Sequence, residues 1–438
     1  MEATLDGRRT LNLRPALRVR ELSLLVLPVG FVFAALVLLA KAQDKAVTPS
    51  VLWPAILFGA LVLALHVGLT LAGVRGDQAL FPLAAALAGW GLVLIQRLEI
   101  SDLAGKQATW LALGLVALLA TVALVRRTEV LRRYRYVWAL LGLGAVAVTF
   151  VLGRSGEGGG PRLWLDLGAF HFQPAEALKL LLVVYFAAYL AEYREMITLA
   201  RYHLWRIPLP PLPYLLPMTL MWLAAIGLVV IQRDLGVALL LFGVFLAMLY
   251  VATGRVWYVV AGLVALALTM ALLSSHVPVV RERVDVWQDP WAHASHEGYQ
   301  VVQGMIAFGE GGIFGTGLGY GYPHYVPAVY TDYIFAATGE EMGLLGTAGL
   351  VALFLLLAFR GLHVAVAARD PFDQLLAAGL TATISLQALL IMAGNLRLMP
   401  LTGIALPFVS YGGSSLLVNF VAVGLLLRIS AQQEPDEA

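Results

Sequence analysis

A short stretch, VYTDYIFAATGEE at 329–341, gathers Asp332, Glu340 and Glu341 within ten residues of a chain that is 60% hydrophobic and 13% charged. An ionisable group at the edge of an apolar segment is expensive, and it is a functional candidate by default. If a helix begins near Thr331, Asp332 occupies its first turn. The helix dipole then favours the ionised carboxylate, and stabilising a helix start is the simplest account of its placement. On a helix Glu340 lies about 80° round from Asp332 and Glu341 about 180°. The three carboxylates therefore do not share a face, and no acid pair at glycosidase spacing follows from them.

Other candidates are scattered. RLW at 162–164 and QPAEALK at 173–179 supply Arg162, Trp164, Glu176 and Lys179. Pro174 suits the first turn of a helix, which puts Glu176 and Lys179 at i and i+3 on one face. They read equally as a helix-end ion pair or as part of a cationic and aromatic patch for an anionic headgroup. IQRDLG at 231–236 places Arg233 and Asp234 where two helices would turn, and turn chemistry is the simpler reading. GEGGIFGTGLGYG at 309–321 is a poor dinucleotide loop, because no strand–helix unit frames it. Its GLGYG end has the look of an ion filter. The plainer reading is a compact turn where backbones approach closely.

The elements that must position these residues are apolar. Mean hydropathy is +0.83, far above that of a soluble domain. Twelve stretches can each cross a hydrocarbon core of about 30 Å as a helix: about 22–41, 51–72, 79–97, 108–125, 136–153, 176–192, 211–231, 235–253, 257–275, 336–359, 373–395 and 409–427. The first is too long for a cleaved signal and is expected to be retained. Cysteine is absent, which excludes disulfides, thiolate nucleophiles and thiolate metal sites. With both termini in the cytoplasm, most of the 29 Lys and Arg residues fall on the inner side, as the positive-inside bias requires. Segments 154–175, 276–335 and 396–408 then face outward. The outer face is where function is expected. No nucleic-acid partner is expected.

These blocks carry a resemblance. TDYIFAATGEEMGLLG, PLTGIALPFVSYGGSS, the RLW…QPAE loop, RDLG and GYQVVQGMIAFGEGGIFGTGLG resemble, in order, the signature blocks of the SEDS proteins. This is the RodA/FtsW/SpoVE group of peptidoglycan glycosyltransferases, and the similarity spans about residues 80–430. It implies an all-α polytopic membrane protein of the bacterial cytoplasmic membrane. It also implies polymerisation of lipid II into glycan strands, for elongation or division, beside a class B penicillin-binding transpeptidase. Asp332 matches the family's proposed catalytic aspartate. Trp164, Glu176, Lys179, Asp234, Gln303, Ser410 and Ser414 match the other blocks and become substrate-binding candidates. Arg162 and Arg397 join Lys179 as cations for a leaving pyrophosphate, with Mg²⁺ or Mn²⁺ as an expected auxiliary. The chain departs from the pattern at Tyr330, where His is usual, at Arg233 for Pro, at Ala175 for Ser and at Gly304 for Ser.

The expected organisation is a basic tail at 1–21, two additional spans at 22–72, a SEDS-like core at 73–430 and a second cytoplasmic tail at 431–438. The additional spans are expected at the periphery, with His66 bonded to a neighbouring backbone group. A flippase for lipid-linked precursors, a channel and a scaffold without activity are the rival readings. A flippase needs charges in mid-span, and few are found there.

Overall fold

The computed structural model describes residues 18–433, except 99, 101, 156–160, 167, 169, 170, 199–201, 205, 206, 210 and 211. Most of the expected basic tail and residues 434–438 of the second tail lie outside the described residues. The chain runs α1 (Val19–Ala42), α2 (Pro49–Leu71), α3 (Leu80–Arg97), α4 (Leu103–Leu124), the short α5 (Glu129–Arg133) and α6 (Arg135–Leu152). A small antiparallel sheet follows, of β1 (Arg154–Ser155), β2 (Arg162–Asp166) and β3 (His171–Phe172). Then come α7 (Pro174–Thr198), a hairpin of β4 (Tyr202–Leu204) and β5 (Ile207–Leu209), α8 (Leu212–Ile231), α9 (Leu235–Thr253) and α10 (Val256–His276). Two helices outside the spans, α11 (Pro278–Gln288) and α12 (Tyr299–Gly311), precede α13 (Ile334–Ala367), α14 (Pro371–Asn395) and α15 (Gly413–Ala431).

Twelve of these helices are long and apolar enough to cross a membrane, and they coincide with the twelve hydropathy segments. In hydrocarbon each backbone group must be paired within its own segment, which selects helices. The chain is an integral membrane protein. Helix starts are marked by Pro49, Pro174, Pro278 and Pro371, residues whose missing N–H costs nothing there. The innermost helices are α3, α7 and α15, with 78% of each apolar window buried, against 6% for α10. Small residues permit the close approaches expected between helices in lipid. A Cβ added to Gly114 of α4, for example, would lie 2.6 Å from the ring of Phe420 on α15.

Two features of α13 bear on the site. It does not begin near Thr331, the condition on which a first-turn Asp332 rested. The helix starts at Ile334, so Asp332 stands in the preceding loop and not in a first helical turn. Secondly, α13 is not continuous. Gly343 breaks it at φ 64°, and the break is filled by the glycine run. Leu344 N and Leu345 N, freed by the break, donate to Gly312 O and Ile313 O at 2.9 and 3.2 Å. The freed carbonyls of Glu340 and Glu341 accept from Thr316 N and Gly317 N, each at 2.9 Å. The compact-turn reading of 309–321 therefore holds. The GLGYG end is held in the same turn, where Gly317 O accepts Tyr320 N at 3.0 Å and Gly321 O accepts Arg97 Nη2 at 2.8 Å.

α1 packs on α3, and α2 on α4. α1 also packs on α2, and a buried charge cluster joins them. Glu21 pairs with Arg18 and, at 2.8 Å, with Nδ1 of His66. Arg18 donates in turn to Val74 O at 2.7 Å. His66 thus serves a carboxylate and not a backbone group.

Candidate active site

Asp332 is held from both sides. Its N–H donates to Ala328 O at 3.0 Å, and its carbonyl accepts Nδ2 of Asn395, the last residue of α14, at 2.8 Å. One residue earlier, Thr331 O accepts the Ser410 hydroxyl at 2.5 Å. Two earlier, Tyr330 O accepts Tyr411 N at 2.7 Å. One residue later, Tyr333 is fully buried, and its ring fills the space beside Gly304 of α12, where a Cβ would meet it at 2.4 Å. The departure to glycine at 304 thus accommodates the tyrosine of TDYIF. With its neighbours anchored to three elements, the carboxylate has little freedom beyond its own torsions.

Its surroundings set its chemistry. Asp332 is partly buried, and desolvation pushes its pKa up to about 6, opposed by a hydrogen bond from Thr331 and by the charge of Arg283, and reinforced by Asp234. Gly403, at φ 69°, faces the carboxylate, and a Cβ there would lie 3.8 Å from Oδ2. The dipole-favoured, fully ionised carboxylate expected from a first-turn position is therefore not what the fold builds.

Arg283 was not singled out by spacing. It lies on α11 within RERVDVW, donates to Leu401 O at 3.4 Å and acts electrostatically on both Asp332 and Asp234. Asp234 is the N-cap of α9 and accepts Val237 N at 3.1 Å. It also accepts Gln173 Nε2 at 3.2 Å. Burial raises its pKa, offset by the Val237 N–H, with Glu176 adding to the rise and Lys179 and Arg283 reducing it. Turn chemistry explains its neighbour too, since Arg233 is left-handed at φ 60°.

Beneath Asp234 lies a second polar group. Lys179 Nζ sits 2.7 Å from Glu176 Oε2 and donates to Gln387 Oε1 at 2.8 Å. Its side chain is 3% exposed. Gln387 Nε2 donates to Ala405 O at 2.7 Å. Ser414 Oγ accepts Gln173 N at 2.8 Å, which ties the start of α7 to α15. Glu176 and Lys179 form a buried ion pair, and through Gln387 it is bonded to the 396–412 loop that also clamps Asp332.

The remaining candidates are placed apart. Arg162 is exposed and Trp164 half-buried on β2. Among the described residues, no hydrogen bond or ion pair links either to Asp332. Gln303 is half-buried on α12. Arg397 latches α11 to the end of α14: Nε and Nη2 donate to Trp287 O and Gln288 O at 2.9 and 2.7 Å, and Trp287 Nε1 returns a bond to Arg397 O at 3.0 Å. Glu340 and Glu341 are structural. Glu340 Oε1 accepts Tyr322 N at 2.5 Å, and Glu341 Oε1 accepts Nε of Arg97 at 2.8 Å.

A largely apolar groove of about 1080 Å³ opens among α11, α12, α13 and α14, lined by Trp287, Met305, Phe308, Phe335 and Leu355, with Asn395 and Arg397 among its polar residues. Asn395 is shared between this groove and the Asp332 backbone. No three His, Asp or Glu side chains converge to hold a metal among the described residues.

A clamped carboxylate with a pKa near 6 can take a proton from a hydroxyl at neutral pH. The chain is similar over most of its length to known proteins. The family described as the cell cycle proteins FtsW, RodA and SpoVE matches residues 78–435. The peptidoglycan glycosyltransferase RodA of Mycobacterium tuberculosis is 39% identical over 430 residues, covering 95% of this chain and 91% of its own. The probable peptidoglycan glycosyltransferase FtsW of Geobacter sulfurreducens is 34% identical over 372 residues, covering 82% and 96%. In structure, a chain of a peptidoglycan synthase complex that coordinates polymerization and crosslinking has a TM-score of 0.69 at 29% identity, covering 83% of this chain and 100% of its own. Thermus thermophilus RodA has a TM-score of 0.58 at 27% identity, covering 83% and 99%. On these matches, over this fold and around this aspartate, the chain belongs to the FtsW/RodA/SpoVE family.

Proposed function

We propose that Asp332 is the general base of this peptidoglycan glycosyltransferase, which polymerises lipid II into glycan strands. A sugar hydroxyl of one chain loses its proton to the Asp332 carboxylate. Its oxygen bonds to the anomeric carbon of the other chain, and the carbon–oxygen bond to undecaprenyl pyrophosphate breaks. One displacement at one carbon inverts it. A positioned base contributes roughly 10²–10⁴ in rate.

The observation that carries this reading is the clamped loop around a carboxylate with a pKa of about 6. Arg283 is the cation that acts directly on Asp332 and suits the growing charge of the pyrophosphate. Arg162, exposed on β2, is free to reach an anionic headgroup. Lys179 and Arg397 support the site through the bonds described above. The groove beside Asn395 suits the undecaprenyl tail. Among the described residues no three His, Asp or Glu side chains converge on a metal, so Mg²⁺ or Mn²⁺ would arrive with the pyrophosphate.

The similarity to a synthase-complex chain supports a class B penicillin-binding transpeptidase as partner. The distribution of Lys and Arg supports a bacterial cytoplasmic membrane location with both termini inside. The test is the purified protein, with its cognate transpeptidase, incubated with labelled lipid II. Wild type should form glycan strands and Asp332→Asn should form none while remaining folded. Substantial polymerisation by Asp332→Asn would sink the base assignment.

A further inference from the structure

The geometry points to a binding site for one anionic phospholipid, in a slot that α1 creates against α3 and α13. The slot encloses about 520 Å³. Its walls are apolar, among them Leu27, Phe31, Leu83 and Leu353, and Ala86, Gly346 and Gly349 keep it open. Two arginines, Arg20 and Arg360, line one end. Residues 78–435 match the family and α1 lies before them, so the slot is an addition to the family's core.

Charge decides the headgroup. Arg20 is exposed and makes no side-chain hydrogen bond or ion pair among the described residues. Arg360 pairs with Asp77 through Nη2, yet its Nε is buried without a partner. A buried donor normally has an acceptor, and a phosphate oxygen would supply one. The neighbouring carboxylate is already engaged, since Glu21 pairs with both Arg18 and His66. Among the described residues Asp77 is the carboxylate paired with Arg360, and its other oxygen accepts the N–H groups of Ala79 and Leu80. Arg75, exposed in the same loop, adds positive charge to this end.

Length decides the rest. From Arg360 to Gly346 the slot follows α13 for about 21 Å at 1.5 Å per residue. Its apolar length suits acyl chains, and the arginines at one end suit a phosphate. One leaflet is about 15 Å of hydrocarbon, so one lipid fills the part beside the arginines.

The full-length protein in mild detergent, given equal amounts of phosphatidylglycerol and phosphatidylcholine with identical chains, is read by native mass spectrometry. One phosphatidylglycerol should be retained in preference to phosphatidylcholine. Arg20→Gln should weaken retention about fivefold, the equivalent of about 1 kcal/mol for one arginine near a lipid headgroup. Ala86→Phe, which fills the slot at mid-leaflet, should abolish retention in a protein that still elutes as a single species. Equal retention of the two lipids, or retention unchanged in both variants, overturns the site. An adduct of polypeptide mass that Ala86→Phe removes would also overturn it, by placing a partner helix there.

Discussion

Asn395, the last residue of α14, donates Nδ2 to the backbone carbonyl of Asp332 at 2.8 Å. The two are 63 residues apart, and the bond joins the proposed base to the wall of the large groove. It touches the backbone and not the carboxylate. Its loss should therefore move the base without changing its chemistry. Asn395→Ala is expected to lower kcat about 10- to 100-fold, in line with the cost of an ångström of misplacement, with KM little changed and the pH profile unmoved. Steady-state polymerisation across lipid II concentrations checks this.

The pKa of Asp332, near 6, gives two opposite pH dependences. Activity needs the ionised base, so kcat/KM should fall below about pH 6. Stability runs the other way. An unfolded aspartate titrates near 3.9, so between about pH 4 and 6 the folded chain holds a proton that the unfolded chain has released. The Asp332 contribution to stability is greatest below about 4 and declines as pH rises through 6. Asp332→Asn removes this contribution. The difference in melting temperature between variant and wild type should therefore change across that window and level off above it.

Lys179 was expected to meet the pyrophosphate, and its side chain instead lies buried between Glu176 and Gln387. Removing one member of a buried pair leaves an uncompensated charge, at a cost of about 3–5 kcal/mol. Lys179→Ala should melt well below wild type. The double change Glu176→Gln with Lys179→Met should regain most of the stability and most of the activity per folded molecule. A stable double variant that still fails on lipid II would assign Lys179 to the substrate.

Sidedness has a direct readout because cysteine is absent. Ser155 and Ser295 are exposed in the segments between α6 and α7 and between α11 and α12, and Met196 is exposed near the other end of α7. Cysteine substituted at Ser155 or Ser295 should react with an impermeant maleimide in whole cells, and cysteine at Met196 should not. Labelling at Met196 alone would invert the topology.

The spans were legible because lipid leaves the backbone no alternative to helices. Asp332 was legible because a carboxylate beside Ile334 and Phe335 is conspicuous. What surrounds it was not. Arg283 reaches Asp332 only when α11 folds under the loop between α14 and α15, and Arg97 reaches Glu341 across 244 residues. No local period encodes such pairs. The segment expected from 336 met the start of α13 at Ile334, but hydropathy does not register that Tyr333 is buried against Gly304. The break at Gly343 was missed because its freed groups are paired by a glycine run some thirty residues earlier.

The additional helices give the last prediction. Arg18, Glu21 and His66 form a buried cluster that looks indispensable, since breaking one member of such a cluster strands the others. Yet all three lie before residue 74, and deletion of the whole segment removes every charge together. Val74 O and Asp77 O, which accept from Arg18, stand at the end of the bundle where solvent can replace it. A chain beginning at Val74 should therefore insert with its first residue on the same side, because two spans have gone. It should keep polymerase activity with reduced thermal stability, since α3 and α4 lose the cover of α1 and α2. Glu21→Ala in the full-length protein should lower the melting temperature more than the deletion does, because it leaves Arg18 buried and unpaired. A deletion variant that is well folded and wholly inactive would place α1 and α2 inside the catalytic architecture. The nearest structural route for that is the approach of Gly319, in the glycine run, to Leu39 and Ala42 at the end of α1.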